Sequence, residues 1–352
     1  MTSPPIAPGT RLERDSEGTI SVQPFSYPLS AALSPQARGM LAAAFSRPAG
    51  AGDMPSPGNC TSEEEYRQKV DAFRIQLDTM MAGPMIDRLL QAYPVRISQG
   101  KIAGVRVEEF EPEEGVRRDR VLINLHGGAF CCGAGTIGRV ESIPVAHMGK
   151  YRVVSVDYRQ AYEHRFPAAS EDVAMVYEAL LKDYPAANIG IYGASAGGSL
   201  ASQATAWIID KGLPVPGAIG IFAAGTGGAG DSDWISQIGT GNHPPFHGWS
   251  GLRNSDIGYF AGTDPTDPLV DPRLAPVEFR AKFPPSLIIT GTRAFDLSPA
   301  LATHRALCQA GVDAQLHVFD GLGHAFFYDA MTPESLDAYA TILRFFERHL
   351  GA

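Results

Sequence analysis

The sequence predicts an α/β fold: a mostly parallel central sheet flanked by helices, behind a largely helical N-terminal portion. Three observations predict it. From Val105 onward, short and mostly apolar runs recur, as in strands buried on both faces. Helical patterns of ten or more residues separate several of those runs. Finally, Gly193-Ala194-Ser195-Ala196-Gly197-Gly198 joins an apolar run to a helical one through small residues alone, the signature of a sharp strand-to-helix turn.

Taken in order, the first hundred residues differ from the rest. Pro4, Pro5, Pro8, Pro24 and Pro28 punctuate an opening with little periodicity, an arm on the surface. Ser34 is placed to cap a helix whose first position is Pro35, with Met40, Leu41, Ala44 and Phe45 as its apolar run. A loop rich in Pro and Gly spans Pro48 to Asn59. Ser62 and Glu65 then form a capping box, and Tyr66, Val70, Phe73, Leu77 and Met81 follow at helical spacing. Beyond Gly104 the expected strands are Val105 to Phe110, Val121 to Leu125, Val153 to Val156, Ile189 to Tyr192, Ala218 to Phe222, Ser286 to Thr290 and Gln315 to Phe319. Helical patterns cover Asp172 to Lys182, Ala196 to Asp210 and Pro299 to Ala310. The stretch from Gly225 to Pro268 is too long for an ordinary connection, so it is a functional insertion or part of a lid. No internal repeat is evident.

Composition narrows the function classes. With 44% apolar and 19% charged residues among 352, the chain can bury a sizeable core. A formal net charge of -9 argues against a nucleic-acid binder. No apolar stretch is long enough to span a bilayer, and Met1 to Gly18 lacks the apolar core of a secretory signal. Cys60, Cys131, Cys132 and Cys308 show no framework spacing, and adjacent Cys131 and Cys132 make a poor disulfide pair. The expectation is reduced thiols in a cytoplasmic protein.

The chemistry concentrates in four places. The turn at Ser195 exposes its hydroxyl above the carboxyl end of a sheet and sets it at a helix N-terminus, where backbone amides favour negative charge. Directly after the run Val121 to Leu125 comes His126-Gly127-Gly128-Ala129-Phe130. Adjacent glycines let backbone amides approach a ligand, so the N–H groups of Gly127 and Gly128, with that of Ala196, are candidate donors to an oxyanion. His126 is read as a structural residue holding this loop. A serine hydroxyl needs a base, and the base needs an orienting group. Asp296 follows the run Ser286 to Thr290, and His324 follows Gln315 to Phe319, which puts both at carboxyl ends of parallel strands beside Ser195. The order Ser, Asp, His suits an acyl-transfer triad on such a sheet. His147, His164, His304 and His317 fall in helical, pre-helical or strand stretches and are less well placed.

From Gly104 to the C-terminus the chain resembles the hormone-sensitive-lipase-type branch of the α/β-hydrolase superfamily, the bacterial family IV esterases. The resemblance is carried by the His126–Phe130 loop, Asp157-Tyr158-Arg159, Glu163-His164, Phe166-Pro167, the Gly193–Gly198 turn, Asp296-Leu297 and Gly323-His324-Ala325-Phe326. It implies a cap over an acyl pocket, built largely from residues 1–101 with a contribution from 225–268, on a catalytic domain of residues 102–352. It further implies hydrolysis of short- to medium-chain carboxylic esters through an acyl-enzyme, with no cofactor or metal, and a homodimer through the sheet edge. Two positions depart from the family pattern. Ala129 replaces the third glycine of the loop, which is tolerable if the first two glycines donate, and Ala194 replaces a commonly acidic residue before the serine. The same triad would also serve an amidase or a carbamate or lactone hydrolase. A non-catalytic ligand-binding protein on this fold, as among plant hormone receptors, would typically lack His324.

Weaker patterns carry less. Gly133–Gly138 and Gly225–Gly230 both match a dinucleotide fingerprint, but neither has the strand immediately before and helix after that would make it specific. His243 and His247 have metal-ligand spacing, interrupted by Pro244 and Pro245, with no cysteine or carboxylate cluster nearby. Cys131 and Cys132 suit either oxidation sensing or plain burial. Met80, Met81, Met85, Phe25, Tyr27 and Trp234 suit either a pocket lining or core packing.

Overall fold

A computed structural model describes residues 12–14, 16, 20–22, 28–45, 55–81, 83–226, 232 and 256–351. Phe25, Tyr27, Trp234, His243, His247 and residues 227–230 lie outside the described residues, as do the side chains of Ala44, Phe45, Met80 and Met81.

The N-terminal part holds a small antiparallel pair, β1 (Leu12–Arg14) and β2 (Ile20–Val22), then helices α1 (Pro35–Phe45), α2 (Glu63–Met81) and α3 (Pro84–Ala92). The predicted caps are formed. Ser34 Oγ accepts the N–H of Ala37 at 3.1 Å, and Ser62 Oγ accepts that of Glu65 at 3.2 Å. The return half of the capping box slips by one residue: Glu65 accepts from the N–H and hydroxyl of Thr61 at 2.8 and 2.7 Å. Ser34 also docks α1 onto the C-terminal helix, donating its N–H and hydroxyl to Glu334 at 2.6 and 2.8 Å.

The sheet follows. Its strands are β3 (Val95–Ile102), β4 (Val105–Pro112), β5 (Arg117–Leu125), β6 (Tyr151–Val156), β7 (Ile189–Ala194), β8 (Ala218–Phe222), β9 (Ser286–Gly291) and β10 (Ala314–Phe319). Between and after them come α4 (Ile137–Gly149), α5 (Ala168–Leu180), α6 (Ala196–Asp210), the short α7 (Val277–Arg280), α8 (Leu297–Gln309) and α9 (Pro333–His349). The spatial order is β10-β9-β8-β7-β5-β6-β4-β3, and only the pairings of β4 are antiparallel. This is the mostly parallel sheet the alternating pattern predicts, with α4, a helix not expected from sequence, as the crossover from β5 to β6.

One boundary needs correction. Residues 95–101, assigned from sequence to the cap, form most of β3, which pairs with β4 from Val95↔Pro112 to Ile102↔Val105. The strand escaped notice because Arg96-Ile97-Ser98-Gln99-Gly100-Lys101 is mostly polar. It lies at the sheet edge, where Glu, Lys and Arg are tolerated and no continuous apolar run is required.

Side chains alternate across the sheet to two cores. Val121, Ile123 and Leu125 pack with α5, α6 and the apolar face of α2, whose Tyr66, Val70, Phe73 and Leu77 are all buried. Leu122 and Tyr192 point the other way, among residues of α3, α4 and α9. There Phe346 of α9 fills the space that Gly190 of β7 leaves open; a Cβ at Gly190 would lie 2.8 Å from its ring. Replacing Phe346 by Ala empties this fully buried site, and urea unfolding should show a loss of about 3 to 5 kcal/mol.

Candidate active site

Four loops leave the carboxyl ends of β5, β7, β9 and β10 and meet at one rim of the sheet. The loop after β7 is the tightest. Ser195 stands between β7 and α6 with φ 57° and ψ -123°, a backbone state that L-residues avoid. The turn closes because its flanking residues lack side chains: a Cβ at Gly193 would lie 2.2 Å from the carbonyl oxygen of Leu125, and one at Gly197 only 1.7 Å from it. Ser195 N–H donates to Phe222 O at 2.9 Å, which pins the turn to β8 as well.

The three residues predicted to act together do meet. Ser195 Oγ donates to His324 Nε2 at 2.9 Å, and His324 Nδ1–H donates to Asp296 Oδ1 at 2.6 Å. Asp296 is fully buried, and its other oxygen accepts from Thr290 Oγ1 at 2.5 Å. The carboxylate is thus satisfied on both sides, and the imidazole tautomer is set. His324 keeps about a quarter of its side chain exposed. The ring of Phe295 stacks on it at 4.3 Å with a 27° tilt, a contact sequence inspection missed.

The loop after β5 corrects one of the three donor assignments. The N–H of Gly127 is not turned to the serine; it donates to Glu141 Oε1 of α4 at 2.9 Å. Its carbonyl accepts from His126 Nδ1 at 2.8 Å, so Gly127 is an anchor at both ends. The N–H groups of Gly128, Ala129 and Ala196 have no acceptor among the described residues. The expectation that the first two glycines donate therefore fails for Gly127, whose N–H is taken by Glu141. Gly128 and Ala129 reach this arrangement with φ of +116° and +51°. Gly128 has no alternative, since a Cβ there would lie 2.2 Å from Cys132 O.

Other quoted residues have supporting places. His126 is fully buried, as a structural histidine should be, and Tyr158 stacks on it at 4.3 Å while donating to its carbonyl at 2.7 Å. Arg159 is held by Asp172 at 2.9 Å. Cys131 and Cys132 are buried free thiols whose Sγ atoms each lie 3.4 Å from Gly128 O. Gly133, at the start of the first dinucleotide-like stretch, packs against the loop: its Cβ would lie 2.3 Å from Gly127 O. Arg74 of α2 donates to Cys131 O and Ala161 O, both at 2.7 Å, and pairs with Glu163 at 2.6 Å. This fixes α2 over the loop.

Over residues 122–328 the chain matches the family model described as the alpha/beta hydrolase fold. It belongs to that family. An acetyl-hydrolase of Streptomyces hygroscopicus is 29% identical over 217 residues, 61% of this α/β hydrolase and 71% of the relative. An esterase of Acinetobacter venetianus is 26% identical over 274 residues, 74% and 86% of the two chains. Among solved structures, that of an esterase superposes with a TM-score of 0.80 at 28% identity, covering 94% of this chain and 98% of the other. An esterase of the bacterial hormone-sensitive lipase family gives 0.70 at 26% identity, covering 90% and 97%. The resemblance read from the motifs is thereby borne out. Among the described residues of this α/β hydrolase, no helix is long and apolar enough to cross a membrane, and no cluster of His, Cys, Asp and Glu could hold a metal ion.

Glu141 was not singled out in the sequence, where it is one acidic residue of an ordinary helix. Burial pushes its carboxyl up to about 7, against the hydrogen bonds of Tyr328, Asn124 and the Gly127 and Ala194 backbones, which pull it down. Between pH 4.5 and 7 the folded protein then holds a proton that the unfolded chain releases. The stability this residue contributes is therefore greatest below pH 4.5 and declines as pH rises towards 7, by about 3 kcal/mol in all. Denaturant unfolding at pH 5 and pH 8 should show a steeper fall for the native protein than for Glu141→Gln; parallel behaviour would contradict it.

Proposed function

We propose that this protein is a serine carboxylesterase that hydrolyses small esters through an acyl-enzyme. The observation carrying the proposal is the continuous relay from Asp296 through His324 to Ser195, with spacings of 2.6 and 2.9 Å, at a strained turn over the sheet rim. Its support from relatives is that they are named as esterases and acetyl-hydrolases.

In this reading His324 Nε2 takes the hydroxyl proton as Ser195 Oγ attacks the ester carbonyl. The resulting imidazolium is held by Asp296, which stays ionised. The N–H groups of Gly128, Ala129 and Ala196 receive the oxyanion. When the tetrahedral species collapses, the C–O bond breaks and the alcohol leaves with the proton from His324. Water then attacks the acyl-enzyme with His324 again as base, and the carboxylic acid and free Ser195 are released. The α1–α3 segment, with α2 held over the oxyanion loop by Arg74, is the cap of this scheme, and short- to medium-chain acyl groups are the expected substrates.

Ser195→Ala should retain its thermal transition and lose turnover of p-nitrophenyl butyrate; sustained turnover would overturn the reading. Asp296→Asn should lower kcat by about four orders of magnitude, because the wrong imidazole tautomer then faces Ser195. A matched panel of ester, amide and lactone substrates separates the esterase from its sister activities by kcat/KM.

A further inference from the structure

We infer that Glu141 is a positioning residue that sets the aim of the oxyanion donors by tying the Gly127 peptide to the loop that carries His324. The inference rests on the ester-hydrolase reading and extends it to a residue that touches neither substrate nor Ser195.

Glu141 is 4% exposed and has donors on both oxygens. Oε1 accepts from Gly127 N–H at 2.9 Å and from Tyr328 Oη at 2.6 Å. Oε2 accepts from Asn124 Nδ2 at 2.8 Å, and Asn124 Oδ1 in turn accepts from Ser155 Oγ at 2.8 Å. Gly127 immediately precedes the donors Gly128 and Ala129, while Tyr328 lies four residues beyond His324. One carboxylate therefore joins the donor loop to the base loop and seats both on the Asn124–Ser155 pair in β5 and β6.

Peptide geometry explains how this sets the aim. The peptide unit linking His126 and Gly127 is held at both poles: its oxygen by Tyr158 Oη at 2.7 Å, its N–H by Glu141. In the next unit only the oxygen is held, by His126 Nδ1 at 2.8 Å. A trans peptide directs its N–H opposite to its carbonyl, so fixing Gly127 O fixes the direction of Gly128 N–H. Space at this junction is already tight; a Cβ on Gly127 would lie 2.6 Å from Tyr328 Oη. Four donors, the Ala194 N–H among them, converge on its two oxygens, and above pH 7, where the carboxyl is ionised and acceptor-only, all of them can be satisfied. An amide of the same shape must turn its NH2 against at least one of those donors. The ionisable groups facing the carboxylate are Tyr328, Tyr158, Tyr192 and Tyr339, with no cation among those acting on it. Hydrogen bonds alone thus oppose its burial, and burial prevails.

The test compares Glu141→Gln and Tyr328→Phe with the native enzyme, using p-nitrophenyl acetate turnover and hydrogen exchange of residues 122–136 read by mass spectrometry. For each variant, kcat should fall about tenfold with KM within twofold, less than the loss of a donor outright. Exchange should quicken at residues 126–130 and stay native over β7 and β8. A kcat within twofold of native, a loss carried by KM, or unchanged exchange at 126–130 would overturn the inference. Tyr328→Phe removes a single hydroxyl and carries the test alone if Glu141→Gln does not fold. Absence of ester turnover in the native protein would instead overturn the ester-hydrolase reading, and the exchange measurement would still decide the clamp.

Discussion

The site depends on one close backbone contact, that between the carbonyl of Leu125 at the end of β5 and the turn from Gly193 to Gly197. With a Cβ at Gly197 confined to 1.7 Å from that oxygen, no side chain fits, and α6 can start directly beneath the loop after β5. That contact brings the Ser195 hydroxyl and the amides of Gly128 and Ala129 to one rim. The parallel pairing of β5 with β7, in register from Val121↔Ile189 to Leu125↔Gly193, holds the two strand ends level so that the contact can form. Buried strands, small residues in the turn and an exposed hydroxyl are therefore one arrangement seen at three scales.

Around that contact the protein buries two carboxylates and treats them differently. Asp296 accepts from the Thr290 hydroxyl and from the His324 imidazole. Glu141 meets hydroxyl, amide and backbone donors but no cation, and its burial raises its pKa instead. Desolvation is costly for both. The difference in partners separates a carboxylate that orients an imidazole from one that holds backbone in place.

Much of this was legible in the sequence. The alternation of apolar runs and helical patterns exposed the parallel sheet because strands buried on both faces admit few polar residues. Ser195, Asp296 and His324 were found because each follows such a run, and in this fold a strand end is a functional address. Edge strand β3 was missed for the converse reason: it carries a polar sequence where one face meets solvent. Phe295 and Glu141 were missed because a ring beside an imidazole and a carboxylate beside a backbone amide leave no trace in spacing; Glu141 and Gly127 are fourteen residues apart.

By itself, then, the amino-acid sequence determined the α/β architecture, the strained turn at Ser195 and the identity of the three side chains that share its relay. Those follow from local pattern and from strand-end position, both of which one dimension records. Only the tertiary structure decided that the Gly127 amide is turned to Glu141. The direction of a peptide N–H depends on what holds its neighbours, here Glu141, Tyr158 and the ring of His126, and two of these arrive from other elements.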